Sequence, residues 1–172
     1  HTPVREQKDA DGHAVRAMYL YSGMADAYAQ TGDKSLLDAL HALWQSTTGR
    51  RMYVTGGIGS QGHAERFTCD YDLPPDTAYA ETCASIGLVF WAERMLRIED
   101  KSAYADVIER ALYNGILSGV SLDGTKFFYV NPLEMEPERT SSRFDHHYVK
   151  SERVQWFGCA CCPPNIARLV AS

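Results

Sequence analysis

The sequence lacks three features that mark common functional classes: an excess of basic residues, an apolar run of membrane-spanning length and an even set of spaced cysteines. Its 17 lysines and arginines are outnumbered by 22 acidic residues, for a formal net charge of -5, and no basic cluster offers a footprint for phosphates. The best apolar run, Ile86 to Trp91, is far shorter than the roughly 20 residues that cross a bilayer. We therefore expect no nucleic-acid partner and no membrane partner.

Cysteine usage argues against a secreted disulfide scaffold. The cysteines are five in number, and three of them are crowded together: Cys69, Cys83, Cys159, Cys161 and Cys162. This pattern is typical of a metal site or of free thiols in a reducing compartment, which predicts a cytoplasmic location. With 172 residues, 45% of them hydrophobic, the chain can bury the core of one domain. It begins without an initiator methionine and stops within a helical pattern, so we expect a single partial domain from a protein that is longer at both ends.

Repeated helical hairpins are predicted from the spacing of apolar residues. The predicted helices cover residues 13–30, 34–45, 81–97 and 102–117. The two pairs align without a gap at an offset of 67 residues, which places Asp33-Lys34-Ser35 on Asp100-Lys101-Ser102. Because a helical hairpin cannot bury its apolar stripe alone, repeated hairpins pack side by side. The fold is therefore predicted to be mainly α, although two amphipathic helix pairs can also share such a turn by chance.

A small β-hairpin region is predicted near residues 121–160. Asp123-Gly124 is a hairpin turn signal, Lys126 to Val130 is a predicted strand, and residues 154–159 are its expected partner. The polar stretch 134–153 between them is expected to be an exposed excursion.

The most informative stretch is residues 159–165, Cys-Ala-Cys-Cys-Pro-Pro-Asn, taken together with Glu81-Thr82-Cys83. Three close-set thiols are best explained as soft ligands of a metal ion, with Glu81 and Cys83 completing a tetrahedral zinc site. Within a helix these two side chains would point to nearly opposite sides. At a helix entrance, where the backbone is still extended, both can turn toward one ion.

Adjacent cysteines need a similarly irregular backbone to share a metal ion. Pro163 supplies it, since a proline in the first turn begins the last predicted helix. Spacing alone does not decide between Cys159 and the pair Cys161 and Cys162 as ligands. A set of buried free cysteines is the alternative interpretation.

The glycine-rich segment 51–79 is long for a loop in a compact domain, and such loops are usually functional or disordered. Its Glu65 lies among aromatic residues, where a carboxyl group near a metal can gain a raised pKa and donate a proton. The signal is weak by itself, because most loop glutamates are solvated. His13 as a helix cap and Tyr129 as a core residue are the ordinary interpretations of those two positions.

Four segments match, in chain order, the motifs of one enzyme family: Tyr53-Val54-Thr55-Gly56-Gly57-Ile58-Gly59-Ser60, His63-Ala64-Glu65-Arg66-Phe67, Asp76-Thr77-Ala78-Tyr79-Ala80-Glu81-Thr82-Cys83-Ala84-Ser85 and Cys159-Ala160-Cys161-Cys162-Pro163-Pro164-Asn165. With these residues the chain resembles glycoside hydrolase family 127, whose known activity is β-L-arabinofuranosidase. The resemblance runs from about His13 to the end of the chain. It implies an (α/α)6 barrel catalytic domain, of which this chain would be the later part.

The resemblance also implies a retaining mechanism with a zinc-bound cysteine nucleophile. By motif, the implied roles are Cys161 as nucleophile; Glu81, Cys83, Cys161 and Cys162 as zinc ligands; Glu65 as general acid/base; and His13, Tyr129 and Glu81 as sugar contacts.

The leading hypothesis is thus an enzyme that releases L-arabinose from a plant-derived arabinofuranoside oligosaccharide or glycoconjugate. The rival is a non-catalytic helical module in which a Glu/Cys₃ zinc site only holds the fold, because structural zinc sites are full whereas hydrolytic ones usually keep an open position. A glutamate ligand disfavours an iron–sulfur cluster. The oligomeric state is left open, a homo-oligomer included, and a segment of a barrel can be inactive on its own.

Overall fold

Three of the four helices predicted as hairpins begin and end within about three residues of their predicted bounds. The structure is a computed structural model that describes residues 2–172, apart from the side chain of Ser141. The α-helices are α1 (Ala14–Thr31), α2 (Lys34–Thr48), α3 (Thr82–Glu99), α4 (Ser102–Arg110), α5 (Pro137–Ser141) and α6 (Cys162–Ala171). The mainly α fold is thereby confirmed. No helix in the described part of the chain is both long and apolar enough to cross a membrane.

Local sequence signals set the turn between α1 and α2. Gly32 takes a left-handed backbone conformation with φ 67°, and its N–H bonds to the carbonyl oxygen of Tyr28 at 2.8 Å. The Asp33 carboxylate then accepts the backbone N–H of Ser35 at 3.0 Å and begins α2. In the second hairpin Asp100, with φ 49°, takes the place of Gly32. The predicted offset of 67 residues would place Gly32 on Glu99, so the second helix ends one residue later than the repeat predicts.

The two hairpins pack side by side around a cluster of aromatic rings. Helices α1 and α3 contact each other, while α2 lies on α1 and α4 lies on α3. The ring of Trp91 lies 4.9 Å from that of Tyr21 and 5.0 Å from that of Trp44, centroid to centroid. Trp44 in turn lies 4.6 Å from Tyr104 on the neighbouring hairpin. Burying each such side chain contributes on the order of 1.5–3 kcal/mol, which explains how the hairpins hold together.

Helix α4 does not continue to Leu117 as one α-helix, so that prediction is wrong after Arg110. The chain continues as a π-helical segment, Ala111–Ile116, and then a short 3₁₀ turn, Leu117–Gly119. The wide turn lies against the glycine-rich loop. A Cβ atom at Gly56, which has φ 85°, would come within 2.7 Å of the Ala111 Cα. Tertiary contact with this loop therefore accompanies the change of helix type.

A partly buried polar cluster joins the two hairpins. The Glu99 carboxylate accepts hydrogen bonds from His41 Nε2 and Lys101 Nζ, both at 2.9 Å, and from the Tyr104 hydroxyl. Burial acts to raise the pKa of Glu99, but these donors together outweigh it and lower the pKa to about 2. The cluster thus links α2 to the turn between α3 and α4 with an ionised carboxylate.

The predicted β-hairpin region consists of isolated bridges within the described residues. Phe127 pairs with Val120 on one side and with Val154 on the other, and Gly124 forms the turn with φ 70°. The pairing near residues 154–159 was therefore predicted correctly, but no regular two-stranded ladder extends from it. Val130 instead pairs with Glu81 at the start of α3. That bridge is one of the contacts that tie this region to the start of α3, together with the hydrogen bond from the Thr82 hydroxyl to the Phe128 carbonyl oxygen at 2.8 Å.

The stretch 134–153 is exposed over most of its length, as predicted, but the prediction is wrong for two of its residues. It contains α5 and a 3₁₀ turn, Phe144–His146, and it buries His146 and Val149, which are 2% and 8% exposed. The segment lies over the glycine-rich loop: a Cβ at Gly62 would come within 2.5 Å of the Asp145 carbonyl oxygen. The excursion therefore packs beside the segment that carries Glu65.

Candidate metal centre

Glu81 and Cys83 lie at the entrance of α3, where the backbone changes from extended to helical. Glu81 precedes the first helical residue and has φ -60° and ψ 135°. Ala80 before it is left-handed, with φ 43°, and donates its N–H to the Gly59 carbonyl oxygen at 2.8 Å. The N–H of Thr82 bonds to the Tyr129 carbonyl oxygen at 2.9 Å. This extended backbone at the helix start is what lets both side chains face the same side.

Cys161 and Cys162 lie at the start of α6. Cys161 precedes the helix, Cys162 is its first residue, and Pro163 follows within the first turn. The starts of α3 and α6 thus meet at one point. Because a helix N-terminus carries partial positive charge, two of them favour thiolates over thiols at this place.

Four side chains form a compact set of donors: Glu81, Cys83, Cys161 and Cys162 each offer a ligand atom within 4.8 Å of the others. The sulfur of Cys162 lies 3.7 Å from that of Cys83 and 3.7 Å from that of Cys161. Cys161 Sγ lies 3.5 Å from Glu81 Oε1. Cys159 is not a member of this set. The five cysteines, all within the described residues, are free thiols.

The four side chains suit a bound cation, because without one the carboxyl group of Glu81 is incompletely hydrogen-bonded. Glu81 is 4% exposed, and its Oε2 has no hydrogen-bond partner among the described residues. Burial, together with the nearby Glu65 and Cys161, raises the pKa of Glu81 to about 8. A buried carboxyl group with an unpaired oxygen is costly, and a bound cation would satisfy it. Three sulfur donors and one carboxylate suit a soft or borderline divalent ion in tetrahedral geometry.

The three sulfurs of the set are not equivalent. Hydrogen bonds from Cys162 and Cys83 lower the pKa of Cys161 to about 2, although burial acts in the opposite direction. The same contacts raise the pKa of Cys83 and of Cys162. Asn165 Nδ2 also donates to the Cys83 sulfur at 3.1 Å. Cys161 is therefore the sulfur that holds negative charge most readily.

Glu65 also lies near Glu81, at the end of a 3₁₀ turn, His63–Glu65. Its Oε2 pairs with His13 Nε2 at 2.8 Å, and its Oε1 accepts the Tyr79 hydroxyl at 2.9 Å. Ligand atoms of His13, Glu65 and Glu81 lie within 4.8 Å of one another. Burial, and then the charge of Glu65, raises the pKa of Tyr79 well above its usual range, so its hydroxyl stays protonated and donates.

Tyr129 completes the site beside Cys161. Its hydroxyl oxygen lies 3.3 Å from the Cys161 sulfur, and burial followed by this contact raises the pKa of Tyr129. Its ring lies 6.4 Å from the ring of Tyr79 and 4.4 Å from that of Tyr148, centroid to centroid. Of these two neighbouring rings, Tyr79 thus contacts the Glu65 carboxyl and Tyr129 contacts the Cys161 sulfur.

The structure brings all the residues named from the sequence into one place: His13, Glu65, Glu81, Cys83, Tyr129, Cys161 and Cys162. Sequence reasoning missed three neighbours. Tyr79 and Asn165 lie within the matched motifs, and their closeness to a predicted ligand was the signal that could have found them. Tyr148 lies in the polar excursion and has no such signal. Chemically, the arrangement offers the Glu65 carboxyl group and the Cys161 sulfur, each close to the carboxyl group of Glu81.

Comparisons with known proteins agree with this geometry. The family model described as β-L-arabinofuranosidase, GH127 catalytic domain, matches residues 1–172. A non-reducing end β-L-arabinofuranosidase of Bifidobacterium longum subsp. longum is 54% identical over 99% of the chain and 26% of its own length. A crystal structure of a GH127 β-L-arabinofuranosidase from Geobacillus stearothermophilus T6 superposes with a TM-score of 0.94 at 61% identity, over 99% of this chain and 27% of that one. A GH127 β-arabinofuranosidase superposes at 0.88 with 48% identity, over 98% of this chain and 25% of that one. The chain thus spans about a quarter of the length of these relatives.

Proposed function

The chain belongs to the GH127 β-L-arabinofuranosidase catalytic-domain family, and from that premise we propose that it carries the reaction centre of a retaining glycosidase. The observation that carries the proposal is that a carboxyl group and a thiol both lie close to Glu81: an oxygen of Glu65 lies within 4.8 Å of its carboxyl group, and the Cys161 sulfur lies 3.5 Å from its Oε1. Retaining hydrolysis needs a nucleophile at one face of the anomeric carbon and a proton donor at the leaving oxygen.

The metal of this site is proposed to be zinc, held by Glu81, Cys83, Cys161 and Cys162. The unpaired Glu81 Oε2 and the three clustered sulfurs support the assignment. Zinc, when bound, keeps thiol ligands deprotonated at neutral pH.

Cys161 is the proposed nucleophile. Its sulfur attacks the anomeric carbon, forms the C–S bond and displaces the leaving oxygen, which takes a proton from Glu65. Glu65 then removes a proton from water, the water oxygen attacks the anomeric carbon, and the C–S bond breaks to release the sugar. Cys161 suits this role better than Cys83 or Cys162, because those two sulfurs are buried at 1% and 0% exposure whereas Cys161 is only partly buried.

The substrate class follows from the family. The relatives named above are arabinofuranosidases, so we propose β-L-arabinofuranosides as substrates and L-arabinose as the product. His13 and Tyr129 border Glu65 and Cys161 respectively and are the proposed sugar contacts, with Glu81 between them. The two helical hairpins are proposed to be part of an (α/α)6 barrel, the later part of the catalytic domain.

The decisive experiment is Glu65→Gln in the full-length protein. Hydrolysis of p-nitrophenyl β-L-arabinofuranoside and zinc content by elemental analysis are measured on the same preparation. We expect a loss of turnover of about 10²–10⁴-fold with unchanged zinc, because a positioned acid/base contributes that much and Glu65 is not in the four-donor set. Glu109→Gln, which removes an exposed carboxylate on α4, is the matched control and should keep full activity.

The second candidate is a structural metal site without catalysis. One observation favours it: four protein donors fill a tetrahedral ion, as in structural zinc sites. It becomes the better explanation if the full-length protein binds zinc yet hydrolyses no arabinofuranoside, or if Glu65→Gln leaves turnover unchanged.

A further inference from the structure

The Glu65 carboxyl group needs anchors, because neither burial nor regular structure fixes it. The side chain is 28% exposed, and it extends from two consecutive residues with left-handed backbones, Ala64 at φ 59° and Glu65 at φ 50°. A side chain on such a loop turn is free to rotate unless its oxygens are held. Each oxygen has one protein partner, His13 for Oε2 and Tyr79 for Oε1.

The two partners differ in how firmly they are themselves held. Tyr79 is 3% exposed, its N–H bonds to the Ser60 carbonyl oxygen, and its own carbonyl oxygen accepts the Asn131 N–H, both at 3.2 Å. Its ring lies edge-on to that of Tyr129. The side chain of His13 is 20% exposed, and the buried Nδ1 of its ring has no partner among the described residues. Tyr79 is therefore the fixed anchor of the two.

Tyr79 and Glu81 belong to one short turn, and each contacts one of the two reacting groups. Tyr79 holds the Glu65 carboxyl, while Glu81 lies 3.5 Å from the Cys161 sulfur. Between them, the left-handed Ala80 is hydrogen-bonded to Gly59. The turn therefore sets the distance between the carboxyl and the sulfur, and retaining hydrolysis depends on that distance.

We propose that Tyr79 is a positioning residue for Glu65: its hydroxyl holds Oε1, so that the carboxyl faces the leaving oxygen during transfer of the proton. The proposal rests on the proposed function, since it assigns the residue that orients the acid/base of the same site. It predicts that losing the hydroxyl harms only the steps in which Glu65 moves a proton.

The test is Tyr79→Phe in the full-length protein with two substrates that differ in their need for an acid. Methyl β-L-arabinofuranoside has a poor leaving group, whereas p-nitrophenyl β-L-arabinofuranoside has a good one that departs with little protonation. We expect kcat/KM to fall roughly tenfold or more for the methyl glycoside and less than about threefold for the nitrophenyl glycoside. For the nitrophenyl substrate kcat should fall more than kcat/KM, because water attack on the covalent intermediate still needs Glu65 as base.

Two comparisons separate positioning from general damage. Tyr53→Phe is the matched control, since Tyr53 is also 3% exposed and its hydroxyl donates to the Pro74 carbonyl oxygen at 3.2 Å, away from Glu65. This variant should lower kcat/KM for both substrates by the same small factor. Adding Tyr79→Phe to Glu65→Gln should cause no further loss, because the hydroxyl acts through that carboxyl. If Tyr79→Phe does not fold, Tyr79→4-aminophenylalanine keeps the ring and a hydrogen-bond donor and should retain the wild-type ratio of the two substrates.

The role of Tyr79 is overturned if Tyr79→Phe lowers kcat/KM equally for both substrates, or if it lowers the activity of the Glu65→Gln variant further. Either result leaves the proposed function standing. Wild-type protein that hydrolyses neither substrate overturns the proposed function and the role of Tyr79 with it.

Discussion

Replacing Glu81 by glutamine should stabilise the metal-free protein at neutral pH and weaken it once zinc is present. In the metal-free protein the Glu81 carboxyl is buried, with its pKa raised from 4.5 to about 8. Between these two values the folded protein holds a proton that the unfolded chain has already released. Stability is therefore greatest below pH 4.5 and falls as the pH rises through 8. Glutamine cannot ionise, so the free energy of unfolding of the variant should lose this dependence on pH.

The magnitude follows from the shift in pKa. Each pH unit above the unfolded pKa of 4.5 corresponds to about 1.4 kcal/mol, so keeping Glu81 protonated in the folded, metal-free protein costs about 3 kcal/mol at pH 7. Glu81→Gln should then match the wild type near pH 4.5 and exceed its free energy of unfolding by roughly that amount at pH 7. With zinc the sign reverses, because the carboxylate becomes a ligand and the amide is a poorer one.

The assay is urea unfolding of the full-length protein between pH 5 and 8, followed by tryptophan fluorescence, once with a chelator and once with excess zinc. Glu109→Gln, which removes an exposed charge, should follow the wild type under both conditions. A metal-free wild type whose stability does not change between pH 5 and 8 would refute the reasoning. A variant that is less stable than the wild type with and without zinc would refute it as well.

Two further changes test the fold around the site by the same unfolding assay. Gly56→Ala should cost about 2–4 kcal/mol, because the residue has φ 85° and its new Cβ would lie 2.7 Å from the Ala111 Cα. Gly124→Ala, with φ 70° and no atom within 4 Å, should cost only about 1 kcal/mol, and an equal cost for both would contradict the contact with Ala111. Glu99→Gln should cost about 2–3 kcal/mol at pH 7, because the pKa of Glu99 is lowered from 4.5 to about 2 in the fold. That stabilisation is present above pH 4.5 and is lost as the pH falls toward 2, so a cost that persists unchanged at pH 2.5 would contradict it.

The helices could be predicted because their signals are local. Gly32 and Asp33 act on neighbouring backbone atoms, and the helical period of apolar residues needs no knowledge of the partner. The π-helical segment at Ala111–Ile116 could not be predicted, because the contact that accompanies it comes from Gly56, far away in the chain. The bridge between Glu81 and Val130 escaped prediction for the same reason.

The residues of the candidate metal site could be predicted as a cluster from their chemistry, whereas most of their neighbours could not. The sequence has only five cysteines, and three of them are crowded together, so a shared metal ion is a natural interpretation of their spacing. The extended backbone at Glu81 is as predicted. Tyrosine has so many roles in a core that Tyr148 carries no signal in the pattern, and Tyr79 carries only its closeness to Glu81 in the chain. Whether a tyrosine hydroxyl meets a carboxyl or a sulfur depends on side-chain packing, which the sequence does not express.

The cysteines of the candidate metal site differ in exposure and in charge, and this difference bears on whether the site is purely structural. A purely structural site gains most when every sulfur is buried and equivalent, because solvent then competes least for the metal. Cys83 and Cys162 meet that description, at 1% and 0% exposure. Cys161 does not: it is partly exposed, lies 3.3 Å from the Tyr129 hydroxyl, and holds negative charge more readily than the other two sulfurs. Cys161 is thus the one of the three sulfurs whose access and charge fit the proposed role of nucleophile, which favours the catalytic proposal over a purely structural site.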